Sequence, residues 1–243
     1  MIPIAEIYGP VIQGEGPVIG TPTVFVRVGG CDYRCEWCDS LHAVDPINKP
    51  SWIKSTPTQI VDQVCHLTAK GGACMVTLSG GNPALYDELA VVIDELATLG
   101  YRTACETQGS KIAPWFADLD VLVLSPKPPS SGHVTTVDEV RACIKAARPA
   151  DRMVNDMPIV AIKVVVFDAV DLEYLALMRE TFLGEAIFAQ VGNPAPFAHS
   201  TPDPAALIAA YRALEQEVIG RGWYDVRALP QLHTLAYGNA RGT

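Results

Sequence analysis

The 243-residue chain contains no apolar run approaching the ~18 residues of a membrane span. It begins Met1-Ile2-Pro3-Ile4-Ala5-Glu6, with neither a basic region nor an apolar stretch of signal length. Both absences speak against a membrane or secreted protein and make the cytoplasm the expected location. A Lys/Arg block is missing as well, and the formal charge is -9, so the clustered cations that displace counterions from a nucleic acid are not there. Small-molecule chemistry is the class left in favour. No Pro/Gly/Ser-rich linker and no internal repeat interrupts the sequence, which is expected to form a single domain over residues 1–243.

A fourth cysteine is lacking where one would be sought. Three cysteines lie within eight residues, in Gly30-Cys31-Asp32-Tyr33-Arg34-Cys35-Glu36-Trp37-Cys38-Asp39-Ser40, directly after the strand-like residues 23–28. A CxxxCxxC loop offers three thiolates to a cluster that takes four ligands, which leaves one iron of a 4Fe-4S cube to a non-protein ligand. Zinc also takes thiolates, and His42 stands at a spacing that completes a Cys3His structural site. Structural zinc usually staples a small domain without a core, whereas this chain is long and apolar enough to bury one. The other cysteines, Cys65, Cys74, Cys105 and Cys143, are scattered through predicted helices and strands and read as small core residues.

Apolar runs alternate with helical periodicity from the cysteine loop onward. Strands are predicted at residues 24–28, 73–78, 103–106, 121–124, 160–167 and 187–191, each rich in Val, Ile, Leu or Ala and bounded by Gly, Pro or charge. Helices are predicted near 58–68, 85–99, 137–147, 171–181 and 204–219. The crossover around 112–117 is short and carries Pro114, which argues against a full helix there. A last strand is expected at 225–229. Such alternation predicts an α/β fold with a parallel sheet and right-handed crossovers. About six units are too few for an eight-stranded barrel, so the expected form is an incomplete (β/α)6-type barrel.

Ligands of α/β folds lie beyond the carboxyl ends of the strands. There this chain carries the three cysteines, then Ser79-Gly80-Gly81-Asn82-Pro83, Glu106-Thr107-Gln108-Gly109, Ser125-Pro126-Lys127 and Gln190-Val191-Gly192-Asn193. A Gly-Gly-Asn-Pro turn alone is ordinary turn chemistry, but five polar ends in register beside a cluster loop read as one site. Lys163 interrupts an apolar strand and either snorkels out at an edge or points into a wet interior. Arg27, inside a buried strand, requires a partner: either Glu15 of the polar patch Gln13-Gly14-Glu15-Gly16 or the carboxylate of a substrate.

These residues resemble the radical S-adenosylmethionine superfamily. Ile12-Gln13-Gly14-Glu15-Gly16, Cys38-Asp39-Ser40, Ser79-Gly80-Gly81-Asn82-Pro83, Glu106-Thr107-Gln108-Gly109, Ser125-Pro126-Lys127-Pro128-Pro129 and Pro230-Gln231-Leu232-His233 are together similar to the 7-carboxy-7-deazaguanine synthase family, nearly end to end. The resemblance implies a modified, incomplete radical SAM barrel with an N-terminal substrate-binding segment and a C-terminal extension. It implies conversion of 6-carboxy-5,6,7,8-tetrahydropterin to 7-carboxy-7-deazaguanine with loss of ammonia, on the route to queuosine and related 7-deazapurines. It also implies a magnesium-dependent homodimer served by a flavodoxin- or ferredoxin-type electron donor. Cys31, Cys35 and Cys38 would hold a 4Fe-4S cluster whose open iron chelates S-adenosylmethionine, and one electron would release a 5′-deoxyadenosyl radical. That radical would take the pterin C6 hydrogen and later return it, regenerating the cofactor.

By the same resemblance Trp37 and Asp39 flank the adenosyl group beside Cys38, and Gly81 lies along the methionine part. Ser125, Pro126, Lys127 and Gln190 face the cofactor. Ser40 takes the place of the magnesium ligand. Ile12, Gln13, Gly14 and Glu15 would read the pterin edge and Arg27 its carboxylate, with further contacts from Ser79, His233 and the terminal Thr243. Many superfamily members have Glu where Asn82 stands, so a charged contact to the cofactor would here be neutral. Two other readings stay open: an activase that places a radical on a glycyl partner protein with the same cluster, and a zinc-stabilised binding domain.

Overall fold

In the computed structural model, which describes residues 1–197 and 200–242, the apolar runs become strands of one nine-stranded sheet. In chain order the elements are β1 (Ile2–Ile12), β2 (Pro22–Val28), α1 (Leu41–Val44), β3 (Ile53–Ser55), α2 (Pro57–Thr68), β4 (Met75–Gly80), α3 (Leu89–Thr98), β5 (Arg102–Thr107), β6 (Val121–Leu124), α4 (Val137–Ala147), β7 (Ile159–Val166), α5 (Ala169–Thr181), β8 (Ala186–Val191), α6 (Pro204–Gly220), β9 (Val226–Leu229) and α7 (Leu232–Tyr237). The sheet order is β3-β1-β2-β4-β5-β6-β7-β8-β9. Strands β2 and β4 to β9 run parallel, and at one edge β1 pairs antiparallel with both β2 and β3. The outermost strands do not pair, so the barrel stays open, as expected for an incomplete one. As Pro114 foretells, a short 3-10 turn, Pro114–Asp118, stands in for a helix between β5 and β6. Capping boxes at Thr56/Gln59 and Thr136/Glu139 start α2 and α4. No helix among the described residues is long and apolar enough to cross a membrane.

Strand alternation divides the sheet into two faces. Val24, Val26, Val76, Leu78, Leu122, Leu124, Ile162, Val164, Ile187 and Ala189 join the main core beneath the helices. Their neighbours in sequence point to the concave face, where Met75, Ala104, Val121 and Val123 meet Val18 in a second, smaller core. Val18 comes from the loop after β1, whose 3-10 turn touches β7 and β8. That loop therefore plugs the open barrel and brings the polar run Gln13-Gly14-Glu15 onto its floor.

Strand β1 was not among the expected elements. Ile2 and Ile4 enter the core, and a register shift between Ile4 and Glu6 then places Glu6 opposite Arg27 and Tyr8 opposite Phe25. Such a bulge re-aims side chains. Here it turns Glu6 and Tyr8 to the concave face, where Tyr8 stacks on Phe25 at 5.2 Å between ring centroids.

Candidate active site

The carboxyl ends of the strands surround a cavity of about 490 Å³. On one side stands the cysteine loop. Cys31, Cys35 and Cys38 all line the cavity. Burial pushes each thiol pKa up, Cys38 to about 12 with Asp39 adding to the effect. None is a thiolate through its surroundings alone, and a bound cation would be needed to ionise them. The Tyr33 backbone N–H (3.4 Å) and the Gln108 amide (3.5 Å) donate toward Cys31 Sγ. Sulfurs about 2.3 Å from a tetrahedral zinc lie ~3.8 Å apart. Among the described residues, however, the one set of three His, Cys, Asp or Glu ligand atoms within 4.8 Å of one another is Glu15, Asp39 and His233. The Cys3His zinc reading is corrected on a second count too: His42 Nε2 lies 2.9 Å from Glu6 Oε1 and is held there.

The cysteine loop is tied down from below. Asp32 accepts hydrogen bonds from Asn82 Nδ2 (2.8 Å), Gln108 Nε2 (2.7 Å) and Ser110 Oγ (2.6 Å). Asn82 is fully buried and also accepts from Thr107 Oγ1 at 2.8 Å. It therefore locks the ends of β4 and β5 to the loop, a structural task that a neutral amide performs well. Gly81 belongs to the same joint, because a Cβ there would sit 1.8 Å from the Gly30 carbonyl oxygen.

Next along the wall come Trp37, Asp39, Ser125 and Lys127. Lys127 Nζ donates to Ser125 O (3.0 Å) and Ser125 Oγ (3.1 Å) and lies 5.6 Å from the centroid of the Trp37 ring. Pro126 is buried between Ser125 and Lys127 and does not line the cavity. Gln190 is completely buried on the concave face of β8, and neither its amide oxygen nor its nitrogen has a protein partner. Unsatisfied buried amides are costly, and this one does not line the cavity.

Ile12, Gln13, Gly14, Glu15, Ser79 and His233 line the same cavity. The loop after β1 meets the start of α7 here: the Leu232 N–H donates to Gly14 O (3.1 Å), and a Cβ on Gly14 would fall 2.8 Å from His233. Glu15 accepts from Gln231 Nε2 at 3.0 Å, lies 3.7 Å from His233 Nδ1 and pairs with Lys163. Lys163 is fully buried and points inward from β7, with Glu106 Oε1 2.5 Å away. Burial alone would raise the Glu15 pKa, but the ammonium beside it and His233 hold it well below the usual carboxylate range.

Glu15 is thus not the partner of Arg27, as one sequence reading had it. That partner is Glu6, 3.0 Å from Arg27 Nε in an ion-pair contact not aligned as a hydrogen bond. Arg27 Nη1 donates to Ser40 Oγ (2.7 Å) and Nη2 to Tyr8 Oη (3.2 Å). Ser40 donates in turn to Asp39 Oδ1 at 3.0 Å. Glu6 also takes His42 and, from the C-terminal tail, Arg241 Nη2 at 3.0 Å.

No protein-family model matches the chain. It is 41 % identical over 248 residues to the 7-carboxy-7-deazaguanine synthase of Bacillus cereus, across 99 % of this chain and 98 % of that protein. It is 41 % identical over 247 residues, with the same coverages, to that of Bacillus subtilis. The chain belongs to the 7-carboxy-7-deazaguanine synthase family. The fold agrees: QueE from Escherichia coli matches with a TM-score of 0.66 at 23 % identity, over 96 % of this chain and 94 % of that one. Streptococcus suis SuiB bound to S-adenosylmethionine matches at 0.54 and 13 % identity, over 85 % of this chain and 50 % of that one. Both share the open, mostly parallel α/β architecture of this chain.

In this member of the 7-carboxy-7-deazaguanine synthase family most residues singled out from the sequence do meet on one cavity. Pro126 and Gln190 stand behind its wall, and Thr243 lies outside the described residues. Sequence reasoning missed Glu6, Tyr8 and Arg241, all of which line the cavity, and gave Glu106 no role. Glu106 had a signal, since it opens the Glu106-Thr107-Gln108-Gly109 motif; the others had none that periodicity reveals.

Proposed function

We propose that this chain converts 6-carboxy-5,6,7,8-tetrahydropterin to 7-carboxy-7-deazaguanine and ammonia, with a 4Fe-4S cluster held by Cys31, Cys35 and Cys38 and with S-adenosylmethionine as cofactor. One observation carries the reading: three thiols and no fourth converge on the cavity of a chain that belongs to this family. When bound, the cluster and S-adenosylmethionine supply one-electron cleavage of a sulfonium bond and, through it, abstraction of a hydrogen atom. The chain's own residues bind and orient. The ammonium of Lys127 over Trp37, and Ser125, fit a polar, adenosyl-bearing cofactor beside the thiols, and the resemblance assigns Pro126 and Gln190, behind the wall, to the same cofactor. Gly81, which lines the cavity, is assigned to its methionine part.

Glu15, with Ile12, Gln13 and Gly14, is assigned to the donor edge of the pterin, and Ser79, His233 and Thr243 to further contacts. Arg27 keeps one N–H on each Nη free for the substrate carboxylate once Ser40 and Tyr8 have taken the other. For magnesium the protein offers Ser40 Oγ, whose proton goes to Asp39 and one lone pair to Arg27, leaving a single lone pair for the ion. That fits a hard cation whose remaining ligands are substrate carboxylate and water, so metal and substrate should bind interdependently. The family resemblance further supports a homodimer, a flavodoxin- or ferredoxin-type reductant and a cytoplasmic location. A core running from Ile2 to Val226 supports one domain over residues 1–243.

The test is anaerobic reconstitution with iron and sulfide, reduction, and incubation with the carboxytetrahydropterin and S-adenosylmethionine. 7-Carboxy-7-deazaguanine is the expected product. Its absence from protein with a full, reducible cluster overturns the reading in favour of the glycyl-partner activase. Cys35→Ala should abolish cluster assembly, whereas Ser40→Ala should keep the cluster and lose its response to magnesium.

A further inference from the structure

Lys163, on the cavity floor, is a charged group that neither the cofactor nor the substrate assignments use, and so is its partner Glu106. It sits in the middle of β7, 1 % exposed, in a strand whose other residues are apolar. A buried ammonium is costly unless paired, and an apolar side chain would serve the core better. Its two partners come from different elements: Glu106 at the end of β5, 2.5 Å away, and Glu15 from the loop after β1. Glu15 stands on the cavity, where its carboxylate is further fixed by Gln231 at 3.0 Å. An ionised carboxylate only accepts hydrogen bonds, whereas a protonated one donates as well. The charge state of Glu15 therefore decides which edge of a heterocycle it can hold.

We propose that Lys163 is a positioning residue: clamped by Glu106, it keeps Glu15 an acceptor-only carboxylate, so that the floor selects rings presenting a ring N–H beside an exocyclic amino group. The proposal rests on the pterin reading above and deepens it. Without Lys163, Glu15 and Glu106 face each other in a buried site with no ammonium between them, and a proton takes its place. The groups that then bear on Glu15 are Glu106 from β5, His233 from α7 and Asp39 from the cysteine loop, with Lys127 on the same small cavity. The cation removed is the one in direct contact with both Glu15 and Glu106, so the shift is toward protonation. A protonated Glu15 would donate where the ring also donates.

The test measures the dissociation constant of 6-carboxypterin, a fluorescent oxidised analogue, on cluster-loaded protein with S-adenosylmethionine between pH 5 and 7, below the range in which the pterin's own ring N–H ionises. Wild type should bind with a flat profile, because Glu15 stays ionised throughout. K163M should bind about thirtyfold more weakly at pH 5, the loss expected for one hydrogen bond to a charged group, and should recover toward pH 7 as Glu15 ionises. E15Q should be weak at every pH, and E15Q/K163M no weaker than E15Q. The last comparison still decides the matter if K163M alone does not fold, since the double variant removes ammonium and carboxylate together. K163M with wild-type affinity and a flat profile overturns the proposal, as does a double variant tenfold weaker than E15Q. Wild type that binds no pterin overturns the pterin reading and this proposal with it.

Discussion

Two carboxylates on the same cavity are neutralised by cations in very different surroundings. Glu15, on the floor, is held by Lys163, whose side chain is 2 % exposed. Glu6, at the rim, shares Arg27, His42 and Arg241, whose side chains are 15 %, 21 % and 57 % exposed. Burial sets what each contact is worth. A floor pair is little screened by salt, and losing one partner strands a charge in the interior. The rim cluster has a spare cation and reaches water, so it can lose a contact and readjust. On the proposed function, the floor would be preorganised to fix a flat ring, while the rim could rearrange around a substrate carboxylate.

The largest effect should come from breaking the floor. Lys163→Met should destabilise the apo-protein by about 3–5 kcal/mol, the cost of leaving buried charge unpaired, as read by denaturant unfolding under reducing conditions. A cost below about 1 kcal/mol, the scale of an exposed pair, would mean that water reaches the floor and that the contrast is false. Glu6→Gln should be milder, about 1–2 kcal/mol for one charged acceptor lost, because Arg27 keeps Ser40 and Tyr8 as partners. An equal or greater loss in the Glu6 variant would reverse the order of the two sites.

Acid sharpens the comparison further. At Glu6 burial opposes the charge, but the His42 hydrogen bond, Arg27 and Arg241 bring the pKa from 4.5 to about 2. The folded value lies below the unfolded one, so this carboxylate stabilises the fold above about pH 4.5 and loses that contribution as pH falls toward 2. Glu6→Gln should therefore flatten the acid limb of the stability curve. An acid limb unchanged from wild type would mean that Glu6 titrates alike in the folded and unfolded chain.

What the sequence disclosed follows from the same physics. The parallel strands are buried on both faces, so each reads as an unbroken apolar run, and the cysteine loop is legible because cluster ligation needs that spacing. Strand β1 was hidden: Pro3, Gly9 and Pro10 punctuate it, and the bulge after Ile4 breaks the alternation that marks a half-buried strand. With β1 unseen, Glu6 and Tyr8 were unseen, and Arg27 was offered the wrong acid. Lys163 was visible as an anomaly, but its direction depends on which face of β7 turns inward, and that parity emerges only once Val160, Ile162 and Val164 are seen in the main core. Arg241 lies in a polar tail with no period at all.

The smallest effect is expected at that tail. Asn239 Nδ2 lies 2.7 Å from the Ala195 carbonyl oxygen and 2.9 Å from those of Phe197 and Ser200, and the Asn193 amide donates to Asn239 Oδ1 at 2.9 Å. These bonds hold the tail without help from Arg241. Arg241→Ala should then cost at most about 1 kcal/mol of stability, as exposed ion pairs do. Its signature should instead be a raised KM for the pterin at low ionic strength, since Arg241 lines the cavity and adds positive charge where a carboxylate enters. The Debye length shrinks from about 10 Å at 0.1 M salt to about 3 Å at 1 M, so the gap between variant and wild type should close as salt is added. If instead the gap persisted in 1 M salt, Arg241 would be gripping its partner directly in a desolvated contact, and rim and floor would differ only in position.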